Sequence, residues 1–343
     1  MSYITIISKP LLFCNVSCKH CSVERKHIYN LDPDFYVSAL RRIITFLHGM
    51  GTKVTKIEMV WHGGEPLLAG KEFYLNVYKQ LDQKFSEVKI THSIQTNLLK
   101  YDHRWNDVFS KVFEWNVSTS YDFFSSLRPY SPSVFLNKLK AYQDASGKPG
   151  YVICVLNKEN YERVLDICEI AEKNKFNIKF NYLYPAGSGK SLDVFTPDDY
   201  LQSLKTVFKN RGSFPSVVID PIDLFIDYVR GKIPELPCPI TNKCLGRIFA
   251  LMPDGNIYQC GEMADIGAPP LGNVKEGIFT ERYVEILQSS LVVNEECIEC
   301  GLCGGGCLKQ RILYANDINT STPFCRVWKY LYRSAESYLS TCF

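Results

Sequence analysis

The 343-residue sequence has no apolar run long enough to cross a bilayer, and no basic-then-apolar segment with a cleavage site opens it between Met1 and Pro10. Neither a membrane span nor a secretory signal is expected, so the chain reads as cytoplasmic. Blocks of one charge sign are also missing. The 39 basic and 36 acidic residues are interspersed and leave a net charge of +3, which argues against the basic arms that hold nucleic acid. No repeat of fixed period and no low-complexity stretch occurs. Cysteine, in contrast, is abundant: fourteen residues, three within Cys14–Cys21, nine between Cys238 and Cys342, and Cys154 and Cys168 alone. A reducing cytosol disfavours structural disulfides, so the uneven grouping points to two separate metal regions.

Short β-branched or aromatic runs alternate with amphipathic stretches through the first half, the pattern of βα units around a parallel sheet. Six strands are expected, at Tyr3–Ile7, Lys56–Trp61, Lys89–Gln95, Glu114–Ser120, Tyr151–Leu156 and Asn177–Tyr184, with helices such as Pro33–His48 and Tyr161–Lys175 packed outside them. The turn formers Pro185-Ala-Gly-Ser-Gly189 mark a junction. The expected division is residues 1–190, a connecting segment 191–237 of less regular structure, and a cysteine-rich part 238–343 that closes with a helix from Cys325 to Leu339.

Cys14-Asn-Val-Ser-Cys18-Lys-His-Cys21 follows the first expected strand with the spacing C-x3-C-x2-C. Three thiolates leave one iron of a four-iron cluster without a protein ligand, and such an iron can bind a small molecule. A zinc site with His20 or His27 as fourth ligand is the alternative on spacing alone. The segment resembles the signature of the radical S-adenosylmethionine (SAM) superfamily. That resemblance implies that the open iron chelates SAM, which one electron cleaves to a 5′-deoxyadenosyl radical.

Other strand ends carry further likenesses. Gly63-Gly64-Glu65 resembles the family's GGE motif, with the glycines allowing close backbone approach and Glu65 placed to accept from a cationic amine. Gln95-Thr96-Asn97 resembles its TN motif. Ser120-Tyr-Asp122, six residues before Arg128, resembles sulfatase-maturing relatives in which a Ser and an Arg hold the SAM ribose and carboxylate; an arginine fork suits a carboxylate. Leu183 would line the adenine pocket by the same resemblance. All fall at C-terminal ends of expected parallel strands, where α/β barrels place active sites. The implied fold is α/β, a partial (β/α)6 TIM-like barrel.

Cys297-x2-Cys300-x2-Cys303-x3-Cys307 is spaced as in bacterial ferredoxins, whose fourth cysteine serves the other cluster. Together with Cys238, Cys244, Cys260 and Cys325, and with Gly255 and Gly272-Asn273, the run resembles the SPASM extension of peptide-modifying radical SAM enzymes. By that resemblance auxiliary cluster I takes Cys238, Cys244, Cys260 and Cys307, and cluster II takes Cys297, Cys300, Cys303 and Cys325. Three [4Fe-4S] clusters are thus implied. The run departs from the family in one place: only Gly301-Leu302 separates its second and third cysteines, where a longer spacer is usual. A pair of zinc knuckles is the alternative for this region. Cys154 and Cys168 read as buried thiols and Cys342 as an incidental terminal residue.

The resemblance implies an oxidative maturase acting on a ribosomally made peptide, with a flavodoxin- or ferredoxin-like electron donor. Sulfatase-maturing relatives carry an Asp, the presumed base, directly after the cysteine matching Cys260. Gly261 stands there, with Glu262 next as a substitute base. The first strand is expected so early that the N-terminal recognition module of many thioether-forming relatives is not expected. Val117-Ser-Thr-Ser-Tyr-Asp122 resembles cyclophane-forming members, so joining an aromatic ring to a β-carbon ranks first, ahead of thioether formation, epimerisation and formylglycine formation. An electron-transfer or zinc-binding module is the non-enzyme alternative.

Overall fold

A computed structural model describes residues 2–291, 297 and 300–340. Six parallel strands form the centre: β1 (Ser2–Ser8), β2 (Val54–Trp61), β3 (Lys89–Gln95), β4 (Val117–Ser120), β5 (Tyr151–Leu156) and β6 (Asn177–Tyr182). They pair in sequence order, so each crossover returns beside the strand it left. The helices outside start where local chemistry allows. Asp32 caps α1 (Pro33–Gly49) by accepting from the Asp34 amide, with Pro33 in the first turn, and Tyr36, Leu40, Ile43 and Leu47 turn one buried stripe to the sheet.

The structure differs from the sequence reading in three places. The fourth strand begins at Val117 rather than Glu114, because Glu114 and Trp115 both take positive φ, 49° and 58°, and leave extended geometry. The sixth stops at Tyr182. The connecting segment is more regular than expected: a Thr196–Asp199 capping box starts α2 (Pro197–Lys209), a short parallel strand β7 (Ile219–Asp220) extends the sheet beyond β6, and α3 (Ile222–Val229) follows.

The cysteine-rich part continues the same sheet. Strand β8 (Ile248–Leu251) runs parallel to the open edge of β1, and β9 (Asn256–Tyr258), β10 (Gly272–Asn273) and β11 (Gly277–Ile278) follow antiparallel. The helix from Cys325, here α4 (Cys325–Ser340), packs on α2 and α3 and stacks Trp328 on Phe225. Cys154 and Cys168 are both fully buried; Cys342 lies outside the described residues. Among the described residues no helix is long and apolar enough to cross a membrane.

Candidate active site

The ends of β1 to β6 meet at one edge of the sheet, and the loop after β1 is bonded directly to the turn after β2. The amides of His62, Gly64 and Glu65 donate to the carbonyls of Ser8, Leu11 and Phe13. A Cβ on Gly64 would lie 1.9 Å from the Phe13 carbonyl oxygen, and one on Gly63, at φ +116°, 2.5 Å from that of Leu11. The close approach that requires glycine is therefore made to the cysteine-bearing loop.

Glu65 is fully buried. Its Oε1 accepts from the Leu67 amide (2.9 Å) and Thr96 Oγ1 (2.7 Å), and Oε2 from the Asn97 amide (2.8 Å). Burial pushes its pKa up while these bonds oppose the rise. Three of a carboxylate's roughly four acceptor sites are filled by protein, so most of this side chain ties the turn after β2 to the end of β3. Asn97, fixed by that bond, turns Nδ2 to Asn15 Oδ1 (2.9 Å) and Cys14 Sγ (3.8 Å).

Cys14, Cys18 and Cys21 lie close enough to act on one another electrostatically, and burial pushes the Cys14 thiol up to about 11. A thiol held that high needs a cation to become a ligand, and metal coordination deprotonates it outright. Beside Cys18, Arg128 Nε donates to Asp122 Oδ2 at 2.7 Å. The same oxygen lies 3.3 Å from His20 Nε2, and Asp122 Oδ1 accepts from the Val155 amide. Burial alone would lower the Arg128 pKa, but Asp122 reverses the direction. Ser120 closes β4, half-buried. Buried Leu183 follows β6, its carbonyl accepting from Tyr314.

The other cysteines fall into two groups. Cys238 shares a sulfur hydrogen bond with Cys244, and with burial this raises its pKa. Burial, Glu262, Cys238 and Cys307 raise Cys260; burial and then Cys238 push Cys307 up to about 12. Cys303, pushed up to about 11 mainly by burial, feels Cys325, Cys297 and Cys300. Cys238, Cys244, Cys260 and Cys307 thus neighbour one another, as do Cys297, Cys300, Cys303 and Cys325. Among the described residues no three His, Cys, Asp or Glu side chains converge on one metal-ion position. Thiol donors in one triplet and two quartets fit iron–sulfur ligation in chemistry and number.

Sequence reasoning missed a set of buried charges between these regions. Lys9 Nζ lies 2.5 Å from Asp265 Oδ1, and Ser22, next to Cys21, donates to Asp265 Oδ2. Lys309 Nζ pairs with Glu262 Oε2 and sits 3.8 Å from the Tyr184 ring centroid. His62 is held down to about 4 by burial, with Lys9 adding to the effect. Position after a strand end was the only signal available for Lys9 and Tyr184.

A scan against family models finds no match. The cysteine-type anaerobic sulfatase-maturating enzyme of Clostridium perfringens is 23% identical, over 98% of this chain and 97% of its own. An uncharacterised protein of Synechocystis is 29% identical over 34% of this chain and 30% of that protein. Among solved structures, native anSMEcpe with bound AdoMet and Cp18Cys peptide superposes with a TM-score of 0.77, at 21% identity over 99% of both chains. The chain shares this fold over nearly its whole length. Streptococcus suis SuiB bound to precursor peptide SuiA also shares the fold, at a TM-score of 0.65, with 17% identity over 94% of this chain and 76% of SuiB.

Proposed function

We propose that this chain is a radical SAM peptide maturase that removes two hydrogens from a residue of a ribosomally made peptide. The reading is carried by one observation: three thiols, Asn97 and the Asp122–Arg128 pair meet at one end of a parallel sheet, while two further groups of thiols gather beside it. The full-length kinship with a sulfatase-maturating enzyme, and solved neighbours holding AdoMet with a peptide or a precursor peptide, support it.

In this reading Cys14, Cys18 and Cys21 hold the SAM-binding [4Fe-4S] cluster. Cys238, Cys244, Cys260 and Cys307 hold auxiliary cluster I, and Cys297, Cys300, Cys303 and Cys325 hold cluster II. When bound, these cofactors supply one-electron chemistry: a 5′-deoxyadenosyl radical that takes a hydrogen atom from the substrate, and an acceptor for the electron that follows. The protein positions and protects. Gly63 and Gly64 fix the Cys14 loop, and Glu65 receives the SAM amine. Arg128, its Nε held by Asp122, turns its remaining nitrogens to the SAM carboxylate; Ser120 takes the ribose and Leu183 the adenine face. Glu262, held through Oε2 by Lys309, accepts the substrate proton on Oε1. A flavodoxin- or ferredoxin-like donor delivers the electron that starts each turnover.

Ring-to-β-carbon closure, giving a cyclophane, is the product favoured by the Val117–Asp122 segment. Formylglycine formation is the second reading, favoured by the full-length sulfatase-maturating relative, although Gly261 leaves no acid directly after Cys260. Mass spectrometry of the matured peptide decides. A cyclophane weighs two hydrogens less than its precursor and does not react with a hydrazide, whereas formylglycine does. A product of unchanged mass carrying one solvent deuterium identifies epimerisation and contradicts oxidative maturation.

A further inference from the structure

Arg311 is fully buried, and its guanidinium lies on the chain segment that joins the two groups of thiols. That segment, Cys303-Gly304-Gly305-Gly306-Cys307, begins in the group of Cys297, Cys300 and Cys325 and ends in the group of Cys238, Cys244 and Cys260. Its three glycines take φ of 58°, 85° and 77°, a succession of left-handed residues that side chains resist. Arg311 Nη2 donates to the Gly304 carbonyl (3.2 Å), Nε to that of Gly305 (3.1 Å) and Nη1 to that of Ile318 (3.2 Å). Burial pulls the arginine pKa down, and Cys303, Cys307, Cys297 and Cys244 oppose that pull, so thiols of both groups lie within its field.

A charge in a low-dielectric interior acts strongly on its neighbours, and the potential of an iron–sulfur cluster follows net charge and hydrogen bonding around it. We infer that Arg311 is a shared positioning and tuning residue for the two auxiliary clusters, holding the triple-glycine link between them and raising the reduction potential of both. The inference rests on the two-cluster reading given above. A cation beside both clusters favours their reduced forms together, so an electron leaving the substrate meets two acceptors poised in the same direction.

The test uses the Cys14→Ala, Cys18→Ala, Cys21→Ala chain, purified anaerobically so that only auxiliary iron remains. Arg311→Lys, Arg311→Gln and Arg311→Met are compared by iron and sulfide content and by EPR-monitored reductive titration. The neutral variants are expected to keep iron and to shift the oxidised-to-reduced ratio of both clusters at least tenfold toward oxidised, about 59 mV for one electron. Arg311→Lys is expected to stay within about threefold of the parent. Full iron with unchanged potentials in Arg311→Gln overturns the inference, as does a shift confined to one cluster. Loss of iron in both neutral variants reduces Arg311 to a loop scaffold and overturns the tuning role. A parent without auxiliary iron contradicts the two-cluster reading itself, before any Arg311 variant is made.

Discussion

Lys309 Nζ lies 2.9 Å from Glu262 Oε2, and the lysine is buried while the glutamate is about a third exposed, at 37%. The pair thus presents one carboxylate oxygen outward and fixes the other from behind. In Lys309→Met, Glu262 loses the cation that pairs with it. We expect product formation to fall at least tenfold while 5′-deoxyadenosine formation continues, with about 1.5–3 kcal/mol of stability lost for a charge-assisted bond. Arg should recover part of the product yield. Assays that quantify peptide product and 5′-deoxyadenosine together check this; equal loss of both would remove Glu262 and Lys309 from substrate handling.

Gly64→Ala should damage the cluster loop, because its Cβ meets backbone 1.9 Å away rather than a side chain able to move. The expected cost is about 1–3 kcal/mol, as for overpacking, with loss of SAM-site iron and retention of auxiliary iron. Gly49→Ala, where nothing lies within 4 Å, serves as the control and should change neither. Iron content and urea unfolding of the two variants, measured side by side, provide the check.

His92 is buried against Trp61, whose Nε1 donates to its Nδ1 at 3.1 Å, and burial holds its pKa down to about 4. The unfolded chain binds that proton near the ordinary value of 6.5. Stability from this residue is therefore intact above about pH 6.5 and falls as the pH drops toward 4. Between pH 7 and pH 5 the loss should be about 2 kcal/mol. His92→Asn should lack this component, so the difference between wild-type and variant unfolding free energies must narrow on acidification. A constant difference would refute the assignment.

The six central strands and their helices were legible because alternation and amphipathic spacing are local properties, and the fold uses them in order. Trp115 favours a strand by its side chain while Glu114 does not, and the tight turn after Phe113 puts both at positive φ and delays the strand to Val117. Cysteine spacing is likewise visible in sequence, and the fold puts Cys307 beside Cys238 and Cys303 beside Cys325. The partners of Glu65 were not legible: Thr96 and Asn97 reach it only once β2 and β3 pair. Buried Lys9, Lys309 and Arg311 were missed for the same reason, since a basic side chain in a sequence reads as solvated surface until its carboxylate or carbonyl partners are placed by other elements.

The most direct test of the account compares wild type with the Cys14→Ala, Cys18→Ala, Cys21→Ala chain, both purified anaerobically and supplied with SAM and dithionite. Wild type should form 5′-deoxyadenosine and the triple variant none, while the variant keeps about eight irons per chain, as two four-iron clusters require. Formation of 5′-deoxyadenosine by the triple variant would contradict the central assignment.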